Sequence, residues 1–225
     1  MFKAYFEHRS ILDDVHHGES EAMTTTAARR ERQREQLIDA AEQAIAEKGL
    51  PGLKARELAQ EIGCSLGAIY NLVADMDELV LRVGSRTLAR LDAALSAAPQ
   101  PASSQREATD ALVTVALAYS AFARDNLKLW RVLFEHRMAE GAMMPDWAVS
   151  EQMTMFRHIL QPLGTLVPDR SEEDRNLLGR TLFSAVHGVV AIGLEEKLIA
   201  VPRRELDRQI EGLVRIACRG LAADQ

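Results

Sequence analysis

The residues of this sequence best suited to specific chemistry lie between positions 29 and 73, and that chemistry is recognition rather than bond-making. Arg29, Arg30, Arg32 and Arg34 form a basic arm against Glu31 and Glu35, and Lys54 and Arg56 follow. Such groups neutralise phosphates and hold a protein on a nucleic-acid backbone without reading its sequence. Asn71 supplies the complementary chemistry, because a carboxamide pairs with N6 and N7 of adenine. The plainer alternative for Arg29 to Arg34 is the solvated start of a charged helix.

Reading bases requires a short helix presented along one exposed edge. The segment RELAQEIGCSLGAIYNLV, from Arg56 to Val73, has the residues for it. Ala59 stands four residues before Gly63, where a helix crossing closely needs a small side chain. Gly63 permits the positive φ of a sharp turn. Ser65 is a good N-cap for the next helix, and Ile69 plugs between the two helices. Leu58 and Ile62 complete the apolar face of the first, and Cys64 is read as packing. The result is a helix-turn-helix over 54–73 that turns Leu66, Gly67, Ala68 and Asn71 toward a major groove. An ordinary helix pair joined by a tight turn is the competing reading.

The rest of the chain reads as helix almost throughout. Leu37, Ala40, Ala41, Ala44, Ile45 and Lys48 repeat at the spacing of one buried helical face. Gly49 ends that helix and Pro51-Gly52 mark a turn. Asp75 or Asp77 caps a long fourth helix, with Leu79, Val80, Val83, Leu88, Leu91 and Leu95 inside. Pro99-Gln100-Pro101 is a break. Helices are expected over 102–124, 126–139 and 146–160, then a break at Pro162, Gly164 and Pro168. Ser171 caps a helix to about Leu198, and Pro202 opens the last one. No segment alternates with period two, so no strand is expected.

The expected fold class is all-α. A three-helix helix-turn-helix domain over 29–83 precedes a larger helical domain over 84–225. A disordered extension and basic arm over 1–28 come first. Residues 1–22 set Lys3 and Arg9 against Glu7, Asp13, Asp14, Glu19 and Glu21, which works against DNA binding. Met23, just before the arm, is an alternative translation start.

Composition narrows the classes further. The chain has 225 residues, 47% of them apolar, and a net charge of −6. An acidic chain binds DNA where its positive charge is segregated, as it is here. No continuous apolar run approaches the roughly 18 residues of a membrane helix. No signal peptide pattern is visible. The expected location is the cytoplasm, with no membrane partner. Cys64 and Cys218 lie far apart, and the six histidines lack H-x-x-x-H or H-E-x-x-H spacing, so no metal or cofactor is expected. There is no nucleophile elbow, phosphate-binding glycine loop or apolar carboxylate pair, so no catalytic residue and no enzyme is expected.

The stretch from Arg30 to about Val83 resembles the DNA-binding domain of TetR-type transcriptional regulators. The resemblance rests on Ala40-Ala41, on Glu47-Lys48-Gly49 closing the first helix, and on the Gly63-x-Ser65-x-Gly67-x-x-Tyr70 core. It implies a regulator, in most such proteins a repressor, that binds a palindromic operator in double-stranded DNA as a homodimer. It also implies a small-molecule effector and places the Tyr70 hydroxyl against a phosphate. Three positions depart from the pattern. Leu72-Val73 stand where His-Phe is usual, Met76 replaces a lysine at the start of the fourth helix, and Lys54 replaces a serine or threonine. The missing lysine weakens the backbone grip and leaves a helical interaction module without DNA binding as the alternative.

Such regulators generally pair through their last two helices. The candidate stripes are Leu182, Val186, Val189 and Val190 with Leu206, Ile210, Leu213 and Ala217, which serve equally well as internal core. Thr181 to Leu198 also resembles the Trp-His-Gly C-terminal domain of one TetR-type subgroup, with Phe183 in place of the tryptophan and His187-Gly188 matching. The effector candidates are Phe122, Trp130, Phe134, Met144, Trp147, Phe156 and His187. This aromatic and methionine surface suits a small, mainly apolar molecule. Plain hydrophobic core is the competing reading for most of them, including His187.

Overall fold

The computed structural model describes residues 4–97, 102–195 and 199–223, with side chains from residue 26 onward. Among these residues regular structure is helical throughout. The chain divides into two compact units, one ending at Val80 and the other beginning at Leu81.

The first unit opens with α1, Ala4–Lys48, then α2, Ala55–Glu61, and α3, Leu66–Leu72; α4, Met76–Ser96, begins in it. Sequence periodicity places the start of α1 near Arg32, whereas the helix begins at Ala4. No proline occurs before Pro51, so nothing in the covalent chain forces an earlier stop. The side chains of residues 1–25, including the acidic extension, lie outside the described residues.

The inner face of α1 is Leu37, Ile38, Ala41 and Ile45, all buried. Gly49, at φ 74°, ends the helix, and its N–H still reaches the Ile45 carbonyl at 2.8 Å. Leu58 and Ala59 of α2 and Ile69 and Leu72 of α3 complete this core. At the start of α4, Asp75 Oδ1 accepts the Glu78 N–H and Glu78 Oε2 accepts the Ala74 N–H, both at 2.7 Å. This is the reciprocal arrangement of a capping box, shifted by one residue on the return bond.

The second unit continues α4 and adds α5, Gln105–Asp125, α6, Leu127–Glu135, α7, Asp146–Met155, α8, Arg157–Leu166, α9, Glu172–Leu194, and α10, Leu206–Ala223. Ser104 caps α5 through the Glu107 N–H, and Ser171 caps α9 through the Asp174 N–H. Helix α5 is central: ten of its residues are buried, and it packs against α6, α8, α9 and α10. Ion pairs at the core margin hold neighbours in register. Arg215 of α10 meets Asp110 of α5 at 2.8 Å, and Asp92 of α4 receives His158 Nε2 of α8 at 2.7 Å and Arg157. Burial alone would raise the Asp92 carboxyl, but hydrogen bonds from His158 and Arg157 outweigh it and hold it below its ordinary value.

Several sequence-based boundaries move. Helix α6 stops at Glu135, short of Ala139. The expected single helix over 146–160 is two, parted at Phe156. Pro162 and Gly164 lie inside α8 rather than in a break. An interior proline costs about 3 kcal/mol. The neighbouring Leu163, Leu166 and Val167 are fully buried, and each such side chain contributes about 1.5–3 kcal/mol, so packing outweighs the lost hydrogen bond. A single 3₁₀ turn, Arg203–Glu205, separates Pro202 from α10. The break at Pro99–Pro101 and the expected end near Leu198 lie outside the described residues.

Helix α9 departs from the expectation that no segment could span a bilayer. By length and mean hydropathy it alone among the described helices suffices to cross one. Unbroken apolar runs do not reveal it, because Ser184 and His187 interrupt the run. Its inner face, with Val186, Val190, Gly193 and Leu194, is buried within the second unit.

Candidate nucleic-acid interface and ligand cavity

Helices α2 and α3 form the helix-turn-helix. Gly63, at φ 69°, makes the turn, and the Cys64 N–H returns to the Ala59 carbonyl at 2.9 Å. Ser65 caps α3, its Oγ accepting the Ala68 N–H at 3.2 Å. Ile69 and Leu72 face inward, so the opposite edge is left to solvent: Leu66 is 40% exposed and Tyr70 49%, with Gly67 and Asn71 beside them. Ala68 is half-buried. The side chains expected at a groove therefore share one accessible edge, with Ala68 at its margin.

The cations are divided. Arg29, Arg32 and Arg56 are exposed. Lys54 ion-pairs with Glu57 at 2.9 Å, and Lys48 approaches the same carboxylate at 3.8 Å. The Lys54 hydrogen bond and charge hold the Glu57 carboxyl below its ordinary value. The pair is solvent-exposed and screened, so a phosphate can compete for Lys54. Arg34 is half-buried and donates from Nε to the Leu72 carbonyl at 2.9 Å, and Arg30 donates to the Asn71 carbonyl. Sequence reasoning missed this use of the arm. Its signal is the i, i+4 spacing of Arg30 and Arg34 on the apolar face of α1.

The second unit contains a cavity of about 210 Å³. Helix α4 contributes Leu88, Leu91 and Leu95 to its wall, and the polar side chains lining it are Tyr119 and Gln152. The Tyr119 hydroxyl is already engaged, by Trp130 Nε1 at 3.0 Å and by His187 Nδ1 at 2.8 Å. Burial raises the Tyr119 hydroxyl well above its ordinary value and lowers the His187 imidazole below its own. The wall is therefore uncharged.

Two of the seven effector candidates, Phe134 and Phe156, line this cavity. Trp130 and His187 contact it through Tyr119. Phe122 is packed in the core away from the lining, Met144 sits in the loop before α7, and Trp147 lies under the Arg82 guanidinium at 5.5 Å. The α4 leucines were legible as an inner face but not as a cavity wall, because periodicity marks burial and not emptiness.

Of the candidate pairing stripes, Val186, Val190, Leu206 and Ile210 are buried within the second unit and Leu182 lines the cavity. They are internal core. Outward, α9 exposes Leu177, Ala185 and Ile192, and α10 exposes Ile216.

Residues 37–83 match the bacterial regulatory proteins of the tetR family, and residues 112–216 match the tetracyclin repressor-like C-terminal domain. The first match ends just past the first unit, the second lies within the second unit, and together they take in about two thirds of the chain.

The chain belongs to the TetR family.

Similarity to other TetR-family proteins is distant. The HTH-type transcriptional regulator BetI of Brucella canis is 27% identical over 103 residues, which is 46% of this chain and 52% of that protein. The chain thus spans about half the length of the curated relatives it matches. Among solved structures, a protein of unknown function from Rhodococcus sp. RHA1 superposes with a TM-score of 0.67 at 24% identity, over 84% of this chain and 95% of the other. The TetR family transcriptional regulator PfmR from Thermus thermophilus superposes with a TM-score of 0.55 at 17% identity, over 82% and 98%. These likenesses concern the fold. The C-terminal match is to the tetracyclin repressor-like domain, and the Trp-His-Gly resemblance gains no support from it.

Proposed function

We propose that this TetR-family chain is a sequence-specific DNA-binding regulator that represses by occupying a palindromic operator as a cytoplasmic homodimer. A small, neutral, mainly apolar molecule in the second unit releases it. The observation that carries the reading is the exposed edge of α3, where Leu66, Gly67, Tyr70 and Asn71 stand together while Ile69 and Leu72 anchor the helix from behind. Asn71 reads adenine, and the Tyr70 hydroxyl, Lys54, Arg56, Arg29 and Arg32 hold phosphates. Ser65 and Ala68 set the start of the helix against the duplex.

The second copy docks on the outward faces of α9 and α10. Leu177, Ile192 and Ile216 are large apolar groups left uncovered there, and such a patch on a soluble protein favours association. Two-fold pairing sets two recognition helices about 34–36 Å apart on the duplex. The cavity accounts for the signal. Part of its wall is α4, a helix that begins in the DNA-reading unit, and differential binding worth about 1–3 kcal/mol weakens operator affinity substantially.

The test is a gel-shift titration on the DNA upstream of the protein's own gene, at stated salt. Sequence-specific retardation is expected, weakened by Tyr70→Phe and altered in base preference by Asn71→Ala. Unchanged affinity and preference in both variants would overturn the groove assignment, and no retardation at low salt would overturn the function.

A further inference from the structure

The basic arm before the helix-turn-helix contains two kinds of arginine. Arg30 and Arg34, one helical turn apart on α1, lie on the face that continues through Leu37, Ile38 and Ala41 into the core. That face delivers their guanidinium groups to the end of α3. Arg29 and Arg32 lie off that face; Arg30 is exposed as they are, but its guanidinium, like that of Arg34, is held by a carbonyl of α3.

Helix α3 has seven residues, too short to hold its shape alone. The last carbonyls of any helix lack an internal partner. Here the Ile69 carbonyl accepts the Val73 N–H at 3.1 Å. The carbonyls of the last two residues of α3 go to the arm: the Leu72 carbonyl accepts Arg34 Nε at 2.9 Å, and the Asn71 carbonyl accepts Arg30 Nη2. Glu31 holds Arg34 Nη1 at 2.9 Å and fixes the orientation of the guanidinium. A cation at a helix C-terminus also meets the negative end of the helix dipole.

We infer that Arg30 and Arg34 are positioning residues of the recognition helix and not contacts to DNA, an inference that rests on the proposed DNA-binding function. Arg30 grips the backbone of Asn71, the residue whose side chain is placed to read a base. Arg34 grips the next residue, whose own side chain is core. The pair therefore fixes the height and rotation of the reading edge relative to α1. Losing either guanidinium frees the end of α3 and lowers specific binding, while the count of phosphate contacts stays the same.

The experiment compares the full-length protein with Arg34→Met, which keeps most of the aliphatic stem, and with Arg30→Met. Hydrogen exchange is measured without DNA, and binding is measured by fluorescence anisotropy on duplex DNA from upstream of the gene and on unrelated duplex. In Arg34→Met the amides of residues 69–73 are expected to exchange about tenfold faster, with α5 unchanged, because a local closing contact is lost. Affinity for the upstream duplex falls, affinity for unrelated duplex holds, and the slope of log K against log salt stays at the wild-type value. Arg32→Met gives the opposite pattern, normal exchange with a slope lower by about 0.9. Wild-type exchange rates in both Arg30→Met and Arg34→Met overturn the inference, as does a slope lowered by about 0.9 in Arg34→Met. Should the wild-type protein bind no DNA, the regulator reading fails, while the exchange rates still decide whether the arginines hold α3.

Discussion

Trp130 donates its indole N–H to the Tyr119 hydroxyl at 3.0 Å, although eleven residues and a helix boundary separate them. An indole nitrogen only donates, so the hydroxyl oxygen accepts there, and the same hydroxyl also meets His187 Nδ1 at 2.8 Å. Tyr119→Phe leaves the indole N–H and the imidazole nitrogen without this partner. A loss of about 1–3 kcal/mol is expected from the unsatisfied groups, read as a lower urea midpoint at constant m-value. A midpoint equal to wild type would mean that water or another group replaces the hydroxyl.

The same network makes stability depend on pH. Burial holds the His187 pKa below its ordinary 6.5, so the unfolded chain takes up a proton first as pH falls. The stabilisation is fully present above 6.5 and is lost as pH drops through the folded value. His187→Asn removes that titration. Thermal melts between about pH 7.5 and about pH 5, a range that spans the ordinary histidine value, are expected to show a steeper fall in Tm for wild type than for the variant. Parallel curves would refute the assignment.

Helices α9 and α10 meet at Gly193. A Cβ there would come within 2.7 Å of Leu206 Cδ1, and Leu206 is fully buried. Gly193→Ala is expected to destabilise the second unit by about 1–3 kcal/mol through overpacking, despite the better helix propensity of alanine. Chemical denaturation followed by tryptophan fluorescence reads this directly, since Trp130 and Trp147 both belong to that unit. A stabilised variant would show that Leu206 has room to move.

The uncharged lining of the cavity is expected to select against charged ligands. A cavity of about 150 Å³ accommodates benzene, so 210 Å³ fits one ring with a short substituent. With no ionised group in the lining, 4-ethylphenol is expected to raise the Tm of the full-length protein and 4-ethylbenzoate is not, because a buried unpaired carboxylate is strongly penalised. Gln152→Leu should erase the preference for 4-ethylphenol over ethylbenzene. Equal binding of the benzoate would exclude a neutral site.

Pairing of two copies through α9 and α10 is tested at Ile216, an exposed residue 62% accessible. Ile216→Glu buries a carboxylate from each copy in the apolar contact proposed there, which is penalised. Light scattering is expected to give the mass of two chains for wild type and of one for the variant. A wild-type mass of one chain at micromolar concentration would contradict the dimer.

The sequence was most informative where one residue type has one structural use. Gly63 announced its positive φ, Ser65 and Ser171 announced their caps, and the apolar spacing of α1 and α4 announced their inner faces. It was least informative where packing decides between permitted alternatives. Pro162 reads as a break and sits inside a helix because its neighbours are buried. Val190 and Ile210 read equally as interface or core, because periodicity gives a face without saying what covers it. At the candidate interface, Leu66, Gly67 and Asn71 were legible from their offsets to Gly63. The roles of Arg30 and Arg34 were not, since their partners are carbonyls of residues far along the chain.

Helix α3 is secured from outside its reading edge. Its start is closed by Ser65 and its end by arginines of another helix, and Ile69 and Leu72 fasten its back. None of these anchors is Leu66, Gly67, Tyr70 or the side chain of Asn71. On the proposed function, the exposed edge of α3 can therefore be rewritten without disturbing the frame that holds it. A combinatorial library at those four positions is expected to yield folded proteins with altered DNA preference.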